Sequence, residues 1–193
     1  MGRIVVTEFV SLDGVMEDPG GAEAFKYGGW TFEIARGDEG DKFKLDELKA
    51  SDAQLLGRVT YEGFAKAWPR MEGTGEFGEK MNAMPKFVVS TTLEHPEWNN
   101  TTVLKGDLAE EVAELKRKFD GDILVAGSAQ LVQSLLEDDL VDELRLMVFP
   151  IVLGTGKRLL GDTSDKKPLR LVDSRMVGDG VAILVYQPAR DGA

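Results

Sequence analysis

The chain has 193 residues, of which 42% are hydrophobic and 30% charged, the balance of a folded globular protein rather than a disordered one. Its 34 acidic and 23 basic residues give a formal charge of −11, which makes nucleic acid and anionic membranes poor partners and points to a small-molecule ligand. Cysteine is absent and His95 is the single histidine, so disulfides, thiolate sites and imidazole-built zinc centres are excluded and no metal is expected.

The start, Met1-Gly2-Arg3 running into Ile4-Val5-Val6 and Glu8, lacks the apolar core of a secretory signal. No stretch approaches the ~18 apolar residues of a membrane span, and the expected location is the cytoplasm. Residues 4–10 are β-branched or aromatic and predict a strand, followed by the turn-rich Ser11-Leu12-Asp13-Gly14. From Pro19 to Gly40 glycine is frequent and the pattern weak, which predicts a long functional loop with a helix near residues 30–35. Within it, Asp38-Glu39-Gly40-Asp41 lacks the alternating ligands of a calcium loop and is expected to be solvated. A short helix through Leu45 and Leu48 precedes a buried strand at 53–56, which breaks at Gly57 before a helix near Thr60.

Further strands are predicted at 86–90 and 101–104. Asp107 with Glu110 has the spacing of a capping box, and Leu108, Val112, Leu115 and Phe119 fall on one helical face. Gly121 ends that helix before a strand at 122–126, and Gly127-Ser128 opens another helix carrying Leu131, Val132, Leu135 and Leu136. A long apolar strand at 144–151, a loop at 154–167 and a hairpin of 169–177 with 181–187 about Gly178-Asp179-Gly180 complete the chain. Strand–helix alternation closed by a hairpin predicts a single α/β domain, with a mixed, mainly parallel sheet flanked by helices and antiparallel strands at its C-terminal side.

Three predicted strand ends carry polar or glycine residues: Gly57-Arg58-Val59-Thr60, Ser90-Thr91-Thr92 and Gly127-Ser128-Ala129-Gln130. Ligands of open parallel sheets bind outside the carboxyl ends of strands. Two of these segments also open helices, whose free amides and positive dipole end attract phosphate. Arg58 adds a permanent cation suited to phosphate oxygens. By contrast, Gly154-Thr155-Gly156-Lys157 lacks the glycine spacing of a Walker loop and is read as a turn.

In this order, Ser11-Leu12-Asp13-Gly14, Leu56-Gly57-Arg58-Val59-Thr60-Tyr61-Glu62, Val89-Ser90 and Gly127-Ser128-Ala129 resemble the dihydrofolate-reductase-like superfamily. Leu140–Leu144 and Phe149–Lys157 bring the resemblance closer to the C-terminal reductase domain of bifunctional riboflavin-biosynthesis deaminase/reductases, over residues 3–187. The resemblance implies an oxidoreductase that binds NADPH, with NADH left open. Gly57, Arg58 and Thr60 would then meet the cofactor phosphates, Ser90 and Thr91 would lie by the adenosine ribose and its phosphate, and Gly127, Ser128, Ala129 and Gln130 would cradle the pyrophosphate. Two departures stand out. Relatives often carry a basic residue where this chain has Thr91, and a Gly-Gly pair where it has Gly127-Ser128. The zinc-dependent deaminase half, which needs cysteine ligands, is missing.

The expected activity is hydride transfer from NAD(P)H to a small heterocyclic or carbonyl substrate. The alternatives are a dihydrofolate or pteridine reductase, with Glu33 as its candidate acid, and a catalytically silent nucleotide-binding protein of the same fold. Asp13 is a candidate proton donor or substrate contact, or else the cap of a turn in which Gly14 takes positive φ. Trp30 and Trp68 are candidates to line a substrate pocket, although a tryptophan is more often core and Trp68-Pro69 reads as a helix-end anchor. The apolar residues of 144–151 and of the final hairpin exceed what one sheet face needs, and relatives of this type commonly pair through this half, so a homodimer is expected.

Overall fold

The computed structural model describes residues 1–189. Eight strands form one sheet in the order β4-β3-β2-β5-β1-β6-β8-β7: β1 Arg3–Ser11, β2 Ser51–Gly57, β3 Lys86–Val89, β4 Thr101–Leu104, β5 Asp122–Val125, β6 Glu143–Phe149, β7 Leu169–Val177 and β8 Val181–Pro188. β4 to β6 are all parallel, and β8 and β7 add antiparallel to β6. The expected mixed, mainly parallel α/β architecture with an antiparallel C-terminal hairpin is therefore the one observed.

Five α-helices cover the parallel part: α1 Gly37–Lys49, α2 Arg58–Ala67, α3 Gly75–Ala83, α4 Leu108–Lys118 and α5 Ala129–Glu137. On one face Leu48 of α1, Tyr61 of α2 and Met81 of α3 pack with Val5, Leu56, Val88 and Leu124. On the other, Val112 and Leu115 of α4 and Leu131, Val132 and Leu135 of α5 pack with Ile4, Val6, Leu55, Ile123 and Val125. Connections toward the β4 edge thus carry helices on one face and returning connections carry them on the other, as right-handed crossovers require. The direction reverses at β2, β5 and β1, and there a crevice opens at the strands' carboxyl ends. A third cluster, with Trp30, Met147, Phe149 and Ile183, fills the space beneath the antiparallel end of the sheet.

Several boundaries differ from expectation. The loop predicted to Gly40 ends sooner, because Asp38 and Glu39 form the acidic first turn of α1, where carboxylates favour the helix dipole. β6 stops at Phe149 because Pro150 has no amide to continue the ladder. α4 begins as expected with Asp107, which accepts from the amides of Ala109 and Glu110, but the carboxylate reaching back is Glu111, on Gly106, rather than Glu110.

Helix α3 has no clear sequence signal, with glycine at 75 and 78. It is held from outside by Lys86, whose buried amine donates to the carbonyls of Asn82 and Met84, each at 2.9 Å, and lies 4.2 Å from the ring centre of Trp98. Burial pushes the Lys86 pKa down to about 8. Among the described residues, no helix is long and apolar enough to cross a membrane.

Candidate functional site

The chain passes directly from β2 into α2 at Gly57, and from β5 into α5 through Gly127 and Ser128. Gly57 is the extended N-cap of α2 and supplies no capping side chain, so the first amides of that helix keep their donors for a ligand. Ser128 caps α5 with a long hydrogen bond of 3.4 Å from the Leu131 amide. The two helix starts are tied by the Gly57 amide, which donates to the Gly127 carbonyl at 3.1 Å.

This approach requires both glycines. A β-carbon on Gly57 would collide with the Ser128 hydroxyl, and one on Gly127 would fall 2.7 Å from Thr60 Oγ1. Gly127 also has a φ of +109°, a region that side chains rarely adopt. The Gly127–Ser128 peptide bond is cis. Two positive dipole ends with free amides therefore converge on one point, an arrangement suited to a diphosphate.

A cleft of about 340 Å³ runs from this point to the ends of β3 and β4. Among the predicted residues, Gly57, Arg58, Ser90, Thr91, Ser128 and Gln130 line it, together with Thr92, Lys105 and Gly106. Thr60 sits against Gly127 at its inner end, and Ala129 is the first residue of α5. Arg58 is half-exposed and makes two 3.0 Å hydrogen bonds to Glu62, one turn along α2. The Ser90 hydroxyl oxygen accepts from the Thr92 and Leu93 amides at 3.2 and 3.0 Å, which folds the chain back at the cleft floor.

The predicted catalytic and substrate residues lie elsewhere. The Asp13 carboxylate accepts from the Ser11 hydroxyl at 2.6 Å and from the Leu153 and Gly154 amides at 3.1 and 2.9 Å. The hydroxyl first, and then the amides, pull its pKa down to about 2, so it carries no proton to donate near neutrality. Gly14 takes a φ of +80°, which fits the turn-cap reading of this segment. Glu33 ends a short 3₁₀ turn, Trp30–Glu33, with its side chain exposed, and joins no other candidate residue. Trp30 corrects the substrate-contact expectation. It is fully buried, donates from Nε1 to the Glu17 carbonyl at 2.9 Å and meets the Phe149 ring edge-on at 5.5 Å. A side chain with no accessible surface in this position is core.

Three further residues carry information that the sequence reading passed over. Met16 reaches the cradle, its terminal methyl 3.6 Å from where a Gly127 β-carbon would stand. Glu8 on β1 is buried with one carboxylate oxygen lacking a hydrogen-bond partner among the described residues. Burial pushes its pKa up to about 8, with Lys44 opposing the shift and Glu47 adding to it. Lys105 follows β4 just as Ser90 follows β3, and the strand-end rule applied to 101–104 was the signal that pointed to it. Among the described residues, no cluster of three metal-ligating side chains occurs.

The fold is shared with solved proteins. A candidate riboflavin biosynthesis protein of Shewanella sp. PV-4 superposes with a TM-score of 0.80 at 23% identity, over 97% of this chain and 99% of that one. Dihydrofolate reductase from Enterococcus faecalis, complexed with NADP(H), gives a TM-score of 0.57 at 12% identity, over 97% of each chain. In sequence, YyaP of Bacillus subtilis (strain 168), itself uncharacterised, is 29% identical over 187 residues, covering 95% of this chain and 94% of that protein. Residues 3–183 match the model of the RibD C-terminal domain, and with nearly the whole sheet inside that match the chain belongs to the RibD C-terminal domain family.

Proposed function

We propose that this chain is a reductase that uses NADPH to reduce a small heterocyclic or carbonyl compound. The observation that carries the reading is the cradle at Gly57 and Gly127, where two helix N-termini meet across two glycines with the Ser128 and Thr60 hydroxyls packed against them. Membership of the RibD C-terminal domain family supports a reductase-type activity. The cradle fits a dinucleotide, since free amides, Arg58 and the Ser128 hydroxyl provide donors for a diphosphate and the cleft continues to Ser90 and Thr91.

When bound, the nicotinamide supplies the hydride. The α2 amides and Ser128 would hold the diphosphate, and Arg58, now on Glu62, would supply a cation to a phosphate oxygen. Thr60 and Met16 close the inner end beside Gly127. The Asp13 carboxylate, ionised at neutral pH, fixes the turn after β1 rather than supplying the proton.

Titration of NADPH by fluorescence, followed by NADPH oxidation against pterins, pyrimidines and small carbonyl compounds, tests the reading. Saturable binding with turnover of any of these is the expected result. Absence of binding at millimolar concentration removes the nicotinamide reading. Binding without turnover across the panel favours a silent nucleotide-binding protein. A cytoplasmic location belongs to the same proposal, since nicotinamide cofactors are available there.

The homodimer is part of this reading too. Leu169, Leu171, Val172 and Met176 stand exposed on β7 at the edge of the sheet, and an apolar edge strand of this kind is normally covered. Sedimentation at micromolar concentration is expected to show a species of twice the 21.1 kDa chain mass. A single monomeric species overturns the pairing.

A further inference from the structure

A dinucleotide seated on the cradle has its course set by the order of strands. Its adenosine half follows the cleft to the ends of β3 and β4, so the nicotinamide half crosses the end of β5 toward β1. There β1 outruns its neighbour: pairing with β5 stops at Val6 and Val125, while pairing with β6 continues to Ser11. A compound that takes the hydride therefore lies against whatever stands at the ends of β1 and β6.

Two segments stand there, joined to each other. The Leu12 amide donates to the Ile151 carbonyl at 2.8 Å, and the Asp13 carboxylate accepts from the amides of Leu153 and Gly154. Leu12 and Val152 flank this junction and remain 67% and 66% exposed. The contact of Trp30 with Phe149 brings the 3₁₀ turn Trp30–Glu33 to the same end of β6, and that turn leaves Phe32 80% exposed. A lone exposed apolar side chain is ordinary, but three on adjoining segments at one end of the sheet mark a surface that receives something.

Charge narrows what that is. Residues 12–36 hold five acidic side chains, Asp13, Glu17, Asp18, Glu23 and Glu33, against two basic ones, Lys26 and Arg36, a formal charge of −3. Arg36 is paired with Asp41, and the Lys26 amine lies 4.6 Å from the centre of the Tyr27 ring. On the facing segment Lys157 is paired with Glu17, and Arg158 with the Asp13 carboxylate and carbonyl. On α1, Lys44 is bound to Thr7 and Glu47. A phosphate or carboxylate brought to this wall meets a negative field in which each of these cations is already engaged.

We propose that the substrate is an uncharged, apolar compound, and that Leu12, Phe32 and Val152 receive its body. Its reducible carbonyl or ring imine is carried on an aromatic or aliphatic frame without a phosphate or carboxylate. The assignment rests on the reductase reading and names the substrate class of that same site. Withdrawing such a frame from water is the contribution that exposed leucine, phenylalanine and valine side chains can make.

The test sets neutral compounds against anionic partners of the same core: benzaldehyde against carboxybenzaldehyde, and a dimethyl-dihydropterin against dihydrofolate. NADPH oxidation is followed for each, together with displacement of Nile red, an uncharged dye, from the NADPH-loaded protein. The neutral member of a pair is expected to be favoured by about tenfold or more, in kcat/KM or, without turnover, in dissociation constant. Leu12→Ser and Phe32→Ser, checked for folding by circular dichroism, are expected to weaken Nile red and the neutral compounds by about tenfold and to leave NADPH affinity unchanged. Several outcomes overturn the assignment and leave the reductase reading standing. They are anionic partners used equally or better, neutral compounds that neither react nor displace the dye, and variants that bind as the parent does. Loss of a dimer in either variant does the same, since it gives this surface to a second copy of the chain. A parent that binds no NADPH at millimolar concentration overturns both.

Discussion

The cradle at Gly57 and Gly127 and the loop wall beside it, residues 12–36, are ordered by different kinds of contact. The cradle is assembled from two short strand-turn-helix segments, and most of what defines it is local: a glycine after a strand, a helix start, and a hydroxyl or guanidinium one residue on. The wall is ordered from a distance. Asp13 is bound by the amides of Leu153 and Gly154, 140 and 141 positions away, and the Met16 amide donates to the Lys157 carbonyl. Its far end meets the hairpin tip, where the Asp179 amide donates to the Ala35 carbonyl at 2.7 Å. Exposed Leu12, Phe32 and Val152 give this side an apolar surface, whereas the cleft sets hydroxyls and two cations, Arg58 and Lys105, among valines and leucines. A diphosphate needs fixed amides, which helix starts supply by themselves. A loop wall is shaped by packing, which other parts of the chain must provide.

The sharpest way to break the cradle is Gly127→Val. The side chain meets Thr60 in a backbone conformation that valine resists, so NADPH affinity is expected to fall by about 100-fold or more, with a loss of thermal stability. A variant that folds and titrates like the parent places the cofactor elsewhere. Arg58→Ala removes one charge-assisted phosphate contact and is expected to cost about 1.5–3 kcal/mol, or roughly tenfold or more in the NADPH dissociation constant.

On the wall, Asp13→Ala strands the amides of Leu153 and Gly154 and is expected to cost about 1–2 kcal/mol in denaturant unfolding. NADPH affinity should stay unchanged, and a tenfold loss would show that the two regions are coupled. The pH dependence has a definite sign. Asp13 is held at about 2 against an ordinary 3.8, so its stabilisation is complete above about pH 4 and is lost as the pH falls through 2. The parent should therefore be more acid-sensitive than Asp13→Asn in that window. The smallest effect is expected from Glu62→Gln, which frees Arg58 from an exposed ion pair and should tighten NADPH by about twofold. Weaker binding would mean that Glu62 positions the arginine instead of competing for it.

Much of this was legible in the order of residues. The β-branched run of 4–10, the apolar face of α4 and the glycine breaks at 57, 127 and 178–180 are local features, and each marks an observed element. Helix α3 left little trace because its C-terminal end is held by Lys86 and Trp98 rather than by its own pattern. Trp30 and Asp13 were ambiguous because a tryptophan suits a pocket or a core, and a carboxylate suits catalysis or a turn. Burial and hydrogen-bond partners separate those readings, and both arise from residues far along the chain.

What the sequence determined by itself is therefore the set of strand ends and helix starts, since backbone amides, dipoles and glycine conformations depend on neighbours within a turn. Only the tertiary structure decided which of those ends share a cleft. The register of β3 with β4 sets Lys105 beside Ser90, and the reversal of chain direction at β5 brings Gly127 onto Gly57. Adjacency across a sheet is fixed by pairing between strands that lie tens of residues apart, and no local pattern encodes it.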